Sequence, residues 1–290
     1  MSDKTVYSRR NLAIDMLRAL TMFTMIFVND FWKVHDVPHW LEHATYGEDF
    51  MGLADIVFPG FLFAVGMSIP YAIEGRYSKG YSPESTLGHI LSRTFALLVM
   101  GAFITNSEYR LSPDVCYPIG VYWFIMAIGF IGVWNQYPRT ASPRQKNIFL
   151  ACKIVGVLAL LFLAFTFRNP KGGVFGFSGG ILGAIGWTYL VCAVTYYLSR
   201  DRIKYLLPVW IIFILICLLT TPLREEFGAA PILDFPDRNF LSGLLGVLHI
   251  GNGALPAFTM GGVLLSVFSA RYVAKSDMWK LRTSWIVAAC

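Results

Sequence analysis

The sequence predicts an all-α protein: a polytopic bundle of transmembrane helices with its N-terminus on the cytoplasmic side. Three observations predict it. Of the 290 residues, 56% are hydrophobic and 16% aromatic, with a mean hydropathy of +0.55, beyond the roughly 45–50% apolar content of soluble domains. The apolar residues are gathered into runs of about 20, the length needed to cross about 30 Å of hydrocarbon. Lysine and arginine are unevenly shared between alternate connectors, as orientation in a membrane requires.

By the length rule, spans are expected near 11–31, 53–74, 87–106, 116–135, 148–167, 179–198, 205–222 and 251–269. The start, MSDKTVYSRR followed by an apolar stretch, imitates a secretion signal. That stretch contains Asp15 and Arg18, is long enough to span and lacks a small-x-small cleavage site, so it is read as a retained first helix. A ninth apolar run begins at Thr283 and reads TSWIVAAC. Its eight residues would cover only about 12 Å of helix, so at least eight spans are expected, with a ninth cut short. The whole, 1–290, is read as one transmembrane domain with an incomplete C-terminus. With the N-terminus inside, fifteen lysines and arginines fall in inner segments, whereas the outer segments hold six: Lys33, Arg110, Arg168, Lys171, Arg224 and Arg238. The net charge of +6 therefore reads as a topology signal rather than a basic patch, and no nucleic-acid partner is expected. The partner is membrane lipid, and a homodimer is one assembly such a bundle allows.

Glycine and proline recur inside the spans, at Pro59-Gly60, Gly66, Pro70, Gly120, Pro208, Pro256 and Gly261-Gly262, and small residues crowd GVFGFSGGILGAIG (173–186). Close helix contact is the expected purpose. A phosphate cradle would need a strand-to-helix setting that this chain lacks. The five cysteines follow no metal or redox spacing and read as small buried thiols. The longest exterior connector, 223–250, carries His249 at its end and is apolar enough for a re-entrant segment or a surface helix.

Polar groups inside spans are functional candidates, because hydrocarbon tolerates them only when they are paired or face a wet cavity. Asp15 and Arg18, three apart, share a helix face and can pair; Arg18 can equally offer a guanidinium fork to an anionic ligand from the cytoplasm. Arg93 lies at an inner span end, where it can reach the headgroups or flank a phosphate-bearing donor. Three of the five histidines, His35, His39 and His43, occupy the first exterior loop. On an unbroken helix they would line one side and invite a metal. Pro38 interrupts them and no base motif accompanies them, so no metal is expected. Asn29 ends the first span and Asp55 begins the second, bracketing His43. The three together supply a base, a donor for developing charge and a carboxylate to fix the imidazole.

The runs IDMLRALTMFTMIFVND (14–30) and GLADIVFPGFLFAVGMSI (52–69), joined by the histidine loop, resemble the transmembrane heparan-α-glucosaminide N-acetyltransferases and their bacterial relatives. Weaker echoes lie at 89–101 and 254–268. The resemblance implies transfer of an acetyl group from cytoplasmic acetyl-CoA across the membrane to an amino sugar. It implies His43, within His43-Ala44-Thr45-Tyr46-Gly47, as the catalytic histidine, with Asn29 and Asp55 as the family's asparagine and aspartate. The chain departs from the family at Tyr117–Phe124, which lacks two family arginines.

The expectation is thus an acetyl-CoA-dependent acyltransferase. His43, Asn29 and Asp55 carry the chemistry, Arg18 and Arg93 hold the donor, and the acceptor is an amino sugar or glycan. In a bacterium the inner membrane would house it, with the His43 loop in the periplasm. The alternative is a transporter or flippase for a glycan precursor whose path the same polar groups line.

Overall fold

A computed structural model of the chain describes residues 11–45, 48–108, 111–138, 140, 142–177, 179–220 and 253–272, without the side chains of residues 32 and 33. The connector 223–250 with His249, and the ninth apolar run, lie outside the described residues. Those described form eight α-helices: α1 (Leu12–Asn29), α2 (Leu53–Ser78), α3 (Pro83–Glu108), α4 (Ile119–Trp134), α5 (Pro143–Thr166), α6 (Gly180–Ser199), α7 (Ile203–Thr220) and α8 (Ala254–Tyr272). Short 3₁₀ turns follow α1 at Asp30–Lys33 and His39–Leu41.

Every helix falls where an apolar run predicts one, but caps and prolines set the ends. Pro83 and Pro143 begin α3 and α5, several residues before their apolar runs. Proline suits the first helical turn because its missing N–H would be unpaired there anyway. Ser142 completes the start of α5, its hydroxyl accepting from the Gln145 N–H while the Gln145 side chain accepts from the Ser142 N–H. In the opposite direction, Pro118 leaves its own backbone extended and delays α4 to Ile119, so that helix has 16 residues. Sixteen residues span about 24 Å. The other seven helices are long and apolar enough to cross a membrane. They also turn apolar side chains outward: on α1, Leu12, Met16, Leu20, Phe23 and Phe27 are all exposed at three- and four-residue spacing. Such a stripe fits hydrocarbon and not water. The chain is an integral membrane protein.

The chain divides into two compact units, Met1–Leu91 with Trp187–Cys290, and Ser92–Gly186. In the first unit, α2 is the best-buried helix, with Leu62, Ala64, Ile69 and Ile73 almost inaccessible. It packs most extensively on α8 and then on α1. Glycine permits the α2–α8 approach: a Cβ on Gly66 would meet the Thr259 carbonyl, and one on Gly262 the Phe63 carbonyl. Backbones so close let Ser266 Oγ donate to the Met67 carbonyl at 2.8 Å. α1 runs antiparallel to α2. The Asn11 side chain caps α1 at the Ala13 N–H and donates to the Tyr71 hydroxyl at 3.1 Å; at the other end Val28 packs with Ala54 and Val57. At the far end of α2, Glu74 pairs with Arg200, whose guanidinium lies 3.7 Å from the centre of the Tyr77 ring.

In the second unit, the small residues do the close packing that their spacing predicts. Gly129 and Gly132 of α4 face Gly156 of α5, and Gly101 of α3 faces Gly179 and Gly183. An aromatic core of Phe103, Tyr117, Tyr122, Phe167 and Phe175 fills the space beside them. Asn106, buried, donates to the Gly176 carbonyl at 2.7 Å and accepts from the Gly176 N–H at 3.0 Å, tying Gly176 to α3. The cysteines are less uniform than their composition predicts. Cys192 is buried, whereas Cys152 is exposed on α5, because a membrane helix turns apolar groups outward as readily as inward, and Cys116 is exposed in the connector before α4.

Candidate active site

The histidine loop is short of regular structure, and its backbone is organised by carboxylates. Asp36 adopts a left-handed conformation (φ 59°) and Pro38 starts the His39–Leu41 turn, so the three histidines do not lie on one helix. The loop then doubles back on itself. Gly52 lies so close to Glu42 that a Cβ there would collide with the Glu42 carbonyl, which is why glycine stands at the N-cap of α2.

Asp55, in the first turn of α2, gathers the loop. Its Oδ2 accepts the Gly52 N–H and the Ala44 N–H, both at 3.0 Å. Its Oδ1 lies 2.7 Å from His43 Nδ1. Two backbone donors and the positive end of the α2 dipole favour the ionised carboxylate. An ionised carboxylate is an acceptor only, so the proton of the His43–Asp55 contact sits on Nδ1. In the neutral ring the lone pair is thereby left on Nε2, and the side chain that carries it is 55% exposed. A neutral imidazole with Nδ1–H fixed and Nε2 open is the arrangement a general base requires.

A second histidine is held the same way. His39 Nε2 lies 2.6 Å from Glu48 Oε1, and its ring stacks on Phe50 with centroids 4.4 Å apart. The other Glu48 oxygen accepts the Thr45 N–H at 3.1 Å and the Thr45 hydroxyl at 2.9 Å. The Thr45 backbone N–H, followed by its hydroxyl, holds the Glu48 carboxyl below the ordinary carboxylate range. Each of these histidines thus turns to its own carboxylate.

The remaining candidates are placed as follows. Asn29 ends α1 with an exposed side chain that makes no hydrogen bond among the described residues. Its neighbour Val28 packs on Ala54 and Val57, which flank Asp55 in sequence, so Asn29 sits at the end of the α1–α2 pair that carries the dyad. Arg18 is half-buried on α1, about 16 Å down the helix from Asn29. Arg93 is exposed on α3, in the second unit. A cavity of about 600 Å³ in that unit is lined by Ser107, Glu108, Ser112, Cys116, Tyr117 and Trp123 among others. None of the five candidates lines it. Sequence reasoning missed the Ala44 and Gly52 amides and the Glu48 carboxylate; the one available signal was Asp55 three residues past a helix-starting glycine, the spacing at which a side chain reaches back to the N-cap.

The described residues thus place a histidine–carboxylate pair at one end of two antiparallel membrane helices. The family model for heparan-alpha-glucosaminide N-acetyltransferase, catalytic, matches residues 10–179, and the chain belongs to that family. The match takes in Arg18, Asn29, His43, Asp55 and Arg93. The heparan-alpha-glucosaminide N-acetyltransferase of Mus musculus is 28% identical over 188 residues, covering 57% of this chain and 27% of the mouse protein. That of Homo sapiens is 30% identical over 182 residues, covering 56% of this chain and 26% of the human protein. The chain spans about a quarter of the length of these relatives.

Proposed function

We propose that the chain is a membrane-embedded acyltransferase that moves an acetyl group from acetyl-CoA at the cytoplasmic face to an amino sugar or glycan at the exterior face. The observation that carries this reading is the His43–Asp55 pair, Nδ1 bound and Nε2 open, within the segment that matches a catalytic family model. In a bacterium the exterior face would be the periplasmic side of the inner membrane.

In the proposed reaction, His43 Nε2 takes a proton from the acceptor amine as its nitrogen attacks the thioester carbonyl carbon. The tetrahedral intermediate collapses with cleavage of the carbon–sulfur bond, and the proton on the imidazole passes to the departing thiolate. Asp55 stabilises the imidazolium between the two transfers, as the carboxylate does in a nucleophile–histidine–carboxylate triad. An alternative order, in which His43 itself carries the acetyl group between donor and acceptor, uses the same open Nε2. Asn29 would donate to the carbonyl oxygen as negative charge develops there. Arg18 would meet the phosphates of the donor.

The test is incubation of the purified full chain with acetyl-labelled coenzyme A and a panel of amino sugars. Transfer of label that disappears in His43→Ala, with the variant still inserted and folded, supports the reading. Undiminished transfer in that variant removes the mechanism. Movement of a glycan across proteoliposomes with no acetylation would instead make the protein a carrier.

A further inference from the structure

We propose that Glu48 and His39 are positioning residues for His43: they fix the backbone that carries the imidazole, without themselves touching substrate. The inference rests on the active-site reading above. It starts from how few local constraints that backbone has. Residues 43–45 lie between a 3₁₀ turn and the start of α2, and no helix holds them. Two carboxylates grip them from either side. Asp55 takes the Ala44 N–H, and Glu48 takes the next one, the Thr45 N–H, together with the Thr45 hydroxyl. The Glu48 N–H donates in return to the Thr45 carbonyl at 3.0 Å, closing the segment on itself.

A carboxylate on a solvent-facing loop grips well only if it is anchored, because a free glutamate has several rotamers to lose. His39 supplies the anchor at the second oxygen, and Phe50 fixes the His39 ring by stacking. The chain of contacts therefore runs Phe50, His39, Glu48, Thr45, and ends two residues from His43. Without it, Asp55 would have to hold both the imidazole and its backbone. A general base displaced by about 1 Å loses on the order of 100-fold in rate.

The test compares Glu48→Ala and Glu48→Gln in the full chain. Glutamine can still accept from Thr45 through its carbonyl oxygen and donate through its amide to neutral His39, so it keeps the geometry without the charge. The expected result is a kcat lowered about 10–100-fold in Glu48→Ala with KM for acetyl-CoA unchanged, and recovery toward wild type in Glu48→Gln. A second readout does not depend on turnover: the downfield proton resonance of a hydrogen-bonded His43 Nδ1–H, assigned by its loss in Asp55→Ala. Recorded well below the melting temperature of each variant, it should broaden or vanish in Glu48→Ala and persist in Glu48→Gln. A resonance and kcat that survive Glu48→Ala overturn the inference. Were the wild type to acetylate nothing while this resonance still depended on Glu48, the positioning of the imidazole would stand and the reaction assigned to it would fall.

Discussion

Replacing Asp55 by asparagine separates what this carboxylate does for the chemistry from what it does for the fold. Both backbone amides, Ala44 and Gly52, are received by Oδ2, while Oδ1 alone faces His43. An asparagine that keeps its carbonyl oxygen on the two amides must turn its NH₂ toward Nδ1. The imidazole can stay in place only by moving its proton to Nε2, which removes the lone pair from the nitrogen that the proposed reaction uses. Geometry is preserved and the base is lost. The analogous change in a serine protease triad lowers kcat by about 10⁴. General-base catalysis is generally worth about 10²–10⁴, so a loss of about 10³-fold is expected here, or about 4 kcal/mol in the barrier. Stability should hardly change, since both backbone hydrogen bonds remain. Asp55→Ala removes both, and with them the negative charge at the start of α2. At about 1 kcal/mol for each bond on a partly exposed site, it should destabilise by about 1–3 kcal/mol. Acetyl transfer and thermal melting in detergent, measured on both variants, decide the matter. Wild-type kcat in Asp55→Asn, or equal destabilisation by the two substitutions, would refute the tautomer argument.

Other expectations concern packing and pH. Gly262→Ala places a methyl group against the Phe63 carbonyl and should destabilise by about 1–3 kcal/mol, whereas Gly60→Ala, whose Cβ would find its nearest neighbour 3.8 Å away, should be neutral or slightly stabilising; melting temperatures report both. Tyr122→Phe removes the hydrogen bond from a fully buried hydroxyl to the Phe103 carbonyl and should lower stability by about 1 kcal/mol. Because Glu48 is held below its ordinary range, its grip on the loop is fully present above the unfolded value of about 4.3. That grip is lost as pH falls through the lower folded value. The carboxylate-linked shift of the Thr45 amide resonance should therefore have its midpoint below about 4.3, and Glu48→Gln should abolish that transition.

Much of this architecture is legible in the chain because a bilayer is a strict judge. Hydrocarbon thickness demands about 20 apolar residues per span, so the eight helices of the described residues stand where apolar runs predict helices, seven of them long enough to cross. Their ends are not readable from hydropathy, which does not register that Pro118 holds back α4 or that Ser142 and Gln145 cap α5. His43 and Asp55 were likewise legible, as titratable groups bracketing a span end. What the sequence determined by itself, then, is the class of protein and the residue types available for chemistry. Only the tertiary structure decided their arrangement. The hydrogen bonds from His43, Ala44 and Gly52 to Asp55 depend on a loop closing back over the first turn of α2, and that closure requires Gly52 to lie against Glu42. The same holds for Glu48, which reads as a solvated loop acid until its partners His39, nine residues before it, and Thr45 are brought within reach. Hydropathy and spacing are properties of a segment, whereas a hydrogen bond between two segments exists only once the chain entropy of closing the loop between them has been overcome.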